Sequence, residues 1–139
     1  IGNVLLDEKQ LLRIKQNNNV FLLGVKDYNE LPGYMNNIDI FILPYIPSLV
    51  TSPATKVYDY MATGKPVVST NLVEMDQFSK LIKIAGSDEE FLNHIRSCLN
   101  ENNPELRYER KQIAIQNSWK SRVQEILDLI SVTKKAINN

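Results

Sequence analysis

Ser52-Pro-Ala-Thr-Lys-Val-Tyr-Asp-Tyr-Met-Ala-Thr-Gly-Lys-Pro-Val-Val-Ser-Thr70 holds a complete helix-to-strand transition. Ser52 supplies a hydroxyl N-cap and Pro53 suits the first helical position, where an N–H would go unused. Val57, Tyr58, Tyr60, Met61 and Ala62 then recur at helical spacing. Gly64 stands where a helix closes through a left-handed residue. Pro66-Val-Val-Ser69 follows as a short apolar run, which reads as a strand. On the other side, Asp39-Ile-Phe-Ile-Leu43 is an apolar run stopped by Pro44, the pattern of a strand buried on both faces. Pro44 to Pro53 is a long link for a strand-to-helix connection, and loops of that kind often carry function.

Working outward, Leu81-Ile-Lys-Ile-Ala85 reads as a further strand. Ser87 with Glu90 three residues on forms a capping box that opens a helix to about Leu99. Pro104 begins another helix to about Ile115. Asn117 is placed to cap a last one, with Trp119, Val123, Ile126, Leu127 and Ile130 at helical spacing. Upstream, Asp7 caps a short helix to about Gln16. Val20-Phe-Leu-Leu23, closed by Gly24, reads as a buried strand, and Asp27 as the cap of a helix carrying Leu31, Tyr34 and Met35. Ile1-Gly2-Asn3 reads as the tail of a strand, so a clipped first strand is expected. Strands alternating with helices predict an α/β chain with a parallel sheet and helices on both faces.

Composition fits that class. The 139 residues are 43% hydrophobic and 23% charged, with 16 basic and 16 acidic side chains. These proportions are ordinary for a globular domain and unlike disordered, collagenous or disulfide-scaffold chains. A balanced charge argues against nucleic acid as a partner and against broad attraction to an acidic surface. A peripheral membrane contact of the whole protein is left open. The single cysteine, Cys98, allows no intrachain disulfide and fits a reducing, cytoplasmic setting.

Ligands of open parallel sheets bind beyond the carboxyl ends of the strands. The link after Pro44 leaves such an end and runs into the helix from Pro53. The first turn of a helix offers unpaired N–H groups and a positive dipole end, the ingredients of a phosphate site. Ala54, Thr55 and Lys56 have N–H groups to give, Thr55 adds a hydroxyl and Lys56 a cation. Asp59, one turn on, can accept hydrogen bonds from a sugar hydroxyl. A helix that merely starts at Ser52, with Lys56 and Asp59 solvated, is the alternative from spacing alone. Neither a GxGxxG nor a GxxxxGK[ST] motif is present. His94 and Cys98 stand four apart on one helix, too few for a metal site; both read as structural or neutral. Tyr45 reads as lining the site, whereas Tyr58 or Tyr60 packs.

The stretch from Gly24 to Thr70 resembles the donor-binding domain of glycosyltransferases with two facing Rossmann-like domains, the GT-B fold, in the broad group around glycosyltransferase family 4. Asn19-Val-Phe-Leu-Leu-Gly24 with Glu30-Leu-Pro-Gly-Tyr34 is similar to the strand, glycine and "ELPxY" helix before the donor site. Asp39 to Tyr45 is similar to the strand entering that site. Ser52 to Thr70 is very close to the "SPxKxxEYxAxGKPVVST" form of the family signature. Ser118-Trp119 is similar to the "SW" that opens a closing helix.

The resemblance implies one donor-binding domain over residues 1–139, a fragment with a C-terminal helix over 117–137. Asp59 would hold the ribose, one methylene shorter than the Glu of many members. Thr51 stands where many members carry a sugar-binding Glu; members with the SPxK form commonly lack it. Thr51 and Ser52 would line the sugar side, and the amides of Ala54, Thr55 and Lys56 would bind the pyrophosphate. Lys56 would stabilise the leaving group, the catalytic role. Gly24, Val25 and Leu31 would lie beside the base. The implied partners are a nucleoside-diphosphate sugar as donor substrate, with no other cofactor and no metal, and a missing N-terminal acceptor domain. The implied reaction is hexosyl or related transfer with retention, in surface polysaccharide assembly, in the cytoplasm or at the inner face of the membrane. The fragment alone is expected to be inactive. A flavodoxin-like binding domain is a rival, but Asp39 is at a strand start, the wrong end for its phosphoacceptor. A nucleotide-sugar epimerase is another, and His94 is poorly placed for it.

Overall fold

The computed structural model describes residues 1–49 and 55–137. The chain forms two compact units, Ile1–Asn37 and Ile38–Asn139.

The first unit holds two helices, α1 (Glu8–Lys15) and α2 (Leu31–Asn36). Asp7 caps α1 as its sequence predicts: its carboxylate accepts from the Gln10 N–H at 2.7 Å, and the Gln10 side chain accepts from the Asp7 N–H at 3.3 Å. Asp27 acts one turn before α2. It accepts from the Asn29 N–H at 2.8 Å, and its own N–H donates to Glu30 at 3.1 Å. The strand expected at Val20–Leu23 does not form. Among the described residues, its flanks make single backbone bonds, Val20 N–H to Asn17 at 3.1 Å and Gly2 N–H to the Gly24 carbonyl at 2.8 Å. One bond is not a ladder, and Phe21 is 75% exposed.

The second unit is α/β. Its strands are β1 (Phe41–Leu43), β2 (Val67–Thr70) and β3 (Lys83–Ala85). They form a parallel sheet in the order β1-β2-β3, with Phe41 opposite Val67 and Val68 opposite Lys83. Parallel pairing requires a crossover between strands, and α3 (Lys56–Ala62) supplies the first one. Beyond the sheet lie α4 (Asp88–Cys98), α5 (Pro104–Gln116) and α6 (Trp119–Ile137). Short 3-10 turns occur at Pro47–Leu49 and Met75–Phe78.

The core sits where α3 and α4 meet the sheet. Val67 and Val68 are fully buried, so the middle strand is covered on both sides. On β1, Phe41 and Leu43 are buried and Ile42 is 46% exposed, so this strand is covered on one face only and not on both as its apolar run suggests. The inner face of α3 brings Val57 and Met61, both fully buried. Gly64 follows α3 at φ +77°, with its N–H on the Met61 carbonyl at 2.9 Å, as its sequence position predicts. The Ser87 hydroxyl accepts from the Glu90 N–H at 3.2 Å, while the Glu90 carboxylate reaches back to the Gly86 N–H at 2.8 Å. Asn117 does not cap α6; its side chain donates to the Ile113 carbonyl at 2.9 Å and closes α5. Ser118 caps α6 instead, accepting from the Ser121 N–H at 3.2 Å. A hydroxyl one residue nearer the helix start won that position.

Arg110 joins the elements at the end of the sheet where the strands begin. Its side chain is 3% exposed. Nε donates to the Leu81 carbonyl at 2.7 Å, and Nη1 to the Gly64 carbonyl at 3.2 Å. The two Nη groups grip Glu101, at 2.5 and 2.9 Å. This bidentate geometry is the strong form of an Arg–carboxylate pair.

Candidate functional site

The carboxyl ends of β1 and β2 lie side by side, with Leu43 opposite Ser69. Tyr45 leaves the first end and Thr70 closes the second. The Thr70 hydroxyl donates to the Tyr45 carbonyl at 2.8 Å, with the Leu43 carbonyl at 3.3 Å. The path by which the chain leaves β1 is therefore tied to the neighbouring strand.

The link from β1 then leads to α3. Thr55 precedes α3 in helical conformation (φ −55°, ψ −27°) and makes no side-chain cap hydrogen bond. Lys56 is the first residue of α3, and Thr55, Lys56 and Asp59 are exposed. Residues three or four apart on a helix share a face, so the ammonium of Lys56 and the carboxylate of Asp59 stand one turn apart on the same side. Neither makes an ion pair with a described residue. Thr51, Ser52 and Ala54 lie outside the described residues, as do Val50 and Pro53.

Aromatic contacts hold both tyrosines of α3. The Tyr60 ring stacks on Phe41 of β1, centroids 4.4 Å apart and 18° from parallel. Tyr58 meets Phe78 edge to face at 5.5 Å, and the Arg122 guanidinium lies 5.7 Å over the Tyr58 ring. Both tyrosines of the helix thus pack. Burial pushes the Tyr60 phenol above its usual pKa, helped by the negative potential of Tyr45 and Asp59.

Gly24, Val25 and Leu31 belong to the first unit. Gly24 is left-handed at φ +66°, a conformation that suits glycine. It lines an open groove of about 310 Å³ with Leu22, Leu23 and residues 1–6. Asn3 is the one polar side chain on its wall, so the groove offers apolar contact and backbone groups rather than charge. Val25 is 68% exposed and Leu31 half-buried.

Elsewhere, His94 pairs with Glu90 at 3.4 Å along α4. Cys98 is buried, and burial, with Glu101 adding to it, raises its thiol pKa. No group of three or more His, Cys, Asp or Glu able to hold a metal occurs among the described residues. No described helix is long and apolar enough to cross a membrane.

Two residues escaped the sequence reading. Thr70 ends the quoted motif, but its type and place marked only a strand end. Arg110 sits among Arg107, Glu109 and Lys111, where no local pattern singles out the one that turns inward.

The sequence profile of a family described as "Glycosyl transferases group 1" matches residues 1–101. A Bacillus subtilis (strain 168) protein, provisionally named teichuronic acid biosynthesis glycosyltransferase TuaH, is 31% identical over 135 residues. The match covers 92% of this chain and 33% of that protein, so the chain spans about a third of the length of the curated relative it matches. No solved structure matches the chain.

Proposed function

Because this chain belongs to the glycosyl transferases of group 1, we propose that it holds the nucleoside-diphosphate sugar from which the whole protein transfers a sugar. The observation that carries this is the placement of Lys56 and Asp59, one turn apart and exposed at the start of α3, the helix that follows β1 in the chain. Lys56 meets the pyrophosphate and Asp59 accepts from the ribose hydroxyls. Tyr45 lines the same pocket, with Thr51, Ser52 and the amides of Ala54 and Thr55 completing it. Departure of the nucleoside diphosphate concentrates negative charge on the leaving oxygen, and a cation placed there stabilises that charge more in the transition state than in the bound donor.

The acceptor is bound by a separate half of the whole protein, which supplies the rest of the active site. The reaction retains the configuration of the sugar, and a hexosyl or related group is the species moved. Its product is a surface polysaccharide, a reading supported by the name of the Bacillus relative. On this reading the whole protein works in the cytoplasm or at the inner face of the membrane.

The test is donor binding to the full-length protein by calorimetry. Asp59→Ala should weaken it by about 1–3 kcal/mol, the cost of leaving polar partners unpaired. An unchanged affinity removes Asp59 from the site and this reading with it.

A further inference from the structure

We propose that Thr70 is a positioning residue for the donor site, acting through the backbone of Tyr45. The inference rests on the functional reading above and adds a residue to which that reading gives no part. Thr70 is itself held firmly: it pairs with Ala85 of β3 across the sheet, and the next residue, Asn71, donates to the Ala85 carbonyl at 3.0 Å. The Ser69 hydroxyl, fully buried, donates to the Thr70 carbonyl at 2.8 Å. The Thr70 side chain is only half-buried, so its hydroxyl stands at the rim of the sheet rather than in the core.

Tyr45 lies two residues past the last ladder position of β1, after a proline that has no N–H to give. Its carbonyl would otherwise have no tie to the sheet among the described residues; the Thr70 hydroxyl provides one at 2.8 Å. The bond spans 25 residues of sequence and fixes the direction in which the chain departs toward α3. Tyr60 stacks on Phe41 of β1 at 4.4 Å and feels the Tyr45 side chain, so a shift of the Tyr45 backbone moves a group beside Tyr60, the residue next to Asp59 on α3. Only a hydroxyl can do this. A valine would fill the same volume, keep the β-branched shape that suits a strand and leave the carbonyl without its donor.

The experiment compares Thr70→Val, Thr70→Ser and Asp59→Ala in the full-length protein, using the nucleotide-sugar donor that the wild type turns over. Thr70→Val should raise donor KM by roughly three- to tenfold, the range of one lost hydrogen bond. Thr70→Ser, which keeps the hydroxyl, should return KM to within about twofold of wild type. In a double-mutant cycle, Tyr45→Ala should absorb most of the valine effect, because both act on the same pocket wall. If Asp59→Ala raises KM while Thr70→Val leaves it unchanged, the positioning role is wrong and the donor site stands. If Thr70→Val and Thr70→Ser are equally impaired, shape rather than the hydroxyl matters, and the role is again wrong. If Asp59→Ala is also silent, the donor site itself falls and takes this inference with it. Should Thr70→Val not accumulate, Thr70→Ala against Thr70→Ser decides by the same criteria.

Discussion

Lys56 and Asp59 occupy neighbouring turns of one short helix, but their charges ask for different tests. A charge-assisted bond from Lys56 to a phosphate oxygen is worth roughly 1.5–3 kcal/mol. Lys56→Met keeps the aliphatic stem and deletes the charge, so both kcat and donor affinity of the full-length enzyme should fall. Values within about twofold of wild type, under 0.5 kcal/mol, would make Lys56 a surface residue. Tyr60 gives a pH test. Its folded pKa lies above the unfolded 10.0, and that of Cys98 above 9.0. A group raised on folding stabilises fully below its unfolded pKa, and that contribution is lost as pH rises through the folded value. Urea midpoints should therefore fall in the alkaline range, and Tyr60→Phe should shallow the decline above pH 10.0. An identical pH profile for the variant would remove Tyr60 as a source. The motif sets Lys56 and Asp59 at a helix start, because a charge in a first helical turn has a local signature, and both are exposed there. Thr70 has no such signature, since its bond depends on where a carbonyl 25 residues away comes to lie.

At the scale of elements, α3 and α5 meet closely at Gly64. A Cβ added to Gly64 would come within 2.6 Å of Arg107 Cγ and 3.0 Å of the Arg107 carbonyl oxygen, and the residue is already at φ +77°. Gly64→Ala should cost about 2–5 kcal/mol, combining a left-handed penalty of about 1–2 with overpacking of about 1–3. The check is the midpoint of chemical denaturation followed by circular dichroism; a loss under about 0.5 kcal/mol, the range of an ordinary surface change, would mean that α5 yields easily. The strands β1, β2 and β3, the caps at Asp7 and Ser87 and the glycine stop at Gly64 were all readable, because each is decided by residues within a few positions. Val20–Leu23 was misread for the opposite reason. An apolar run says that a segment seeks cover, but a strand also needs a neighbour to bond with, and sequence spacing carries no record of that neighbour. Asn117 and Ser118 are both good caps, and one-residue differences at helix ends lie within the ordinary slack of such readings.

Across the second unit as a whole, Arg110 ties together the end of α3, the segment before β3 and the link between α4 and α5. Arg110→Met would leave Glu101, 16% exposed, without its partner and strip donors from the Gly64 and Leu81 carbonyls. Breaking such a pair costs about 3–5 kcal/mol, so the thermal midpoint should drop sharply. Changing Glu101→Gln in the same protein should then add little; full additivity would mean the two do not act together. Arg110 could not be read from sequence because its four partner contacts come from three separate segments. At the other side of α5, the chain's one tryptophan, Trp119, is 84% exposed at the first turn of α6. An indole so open to water already emits as it would in an unfolded chain. Intrinsic fluorescence will therefore report little of the loss of the core, and a denaturation curve read from it alone would understate the transition. The same ring gives a quiet baseline for another measurement: whatever covers the Trp119 face in the whole protein will announce itself as a blue shift in emission, with no label needed.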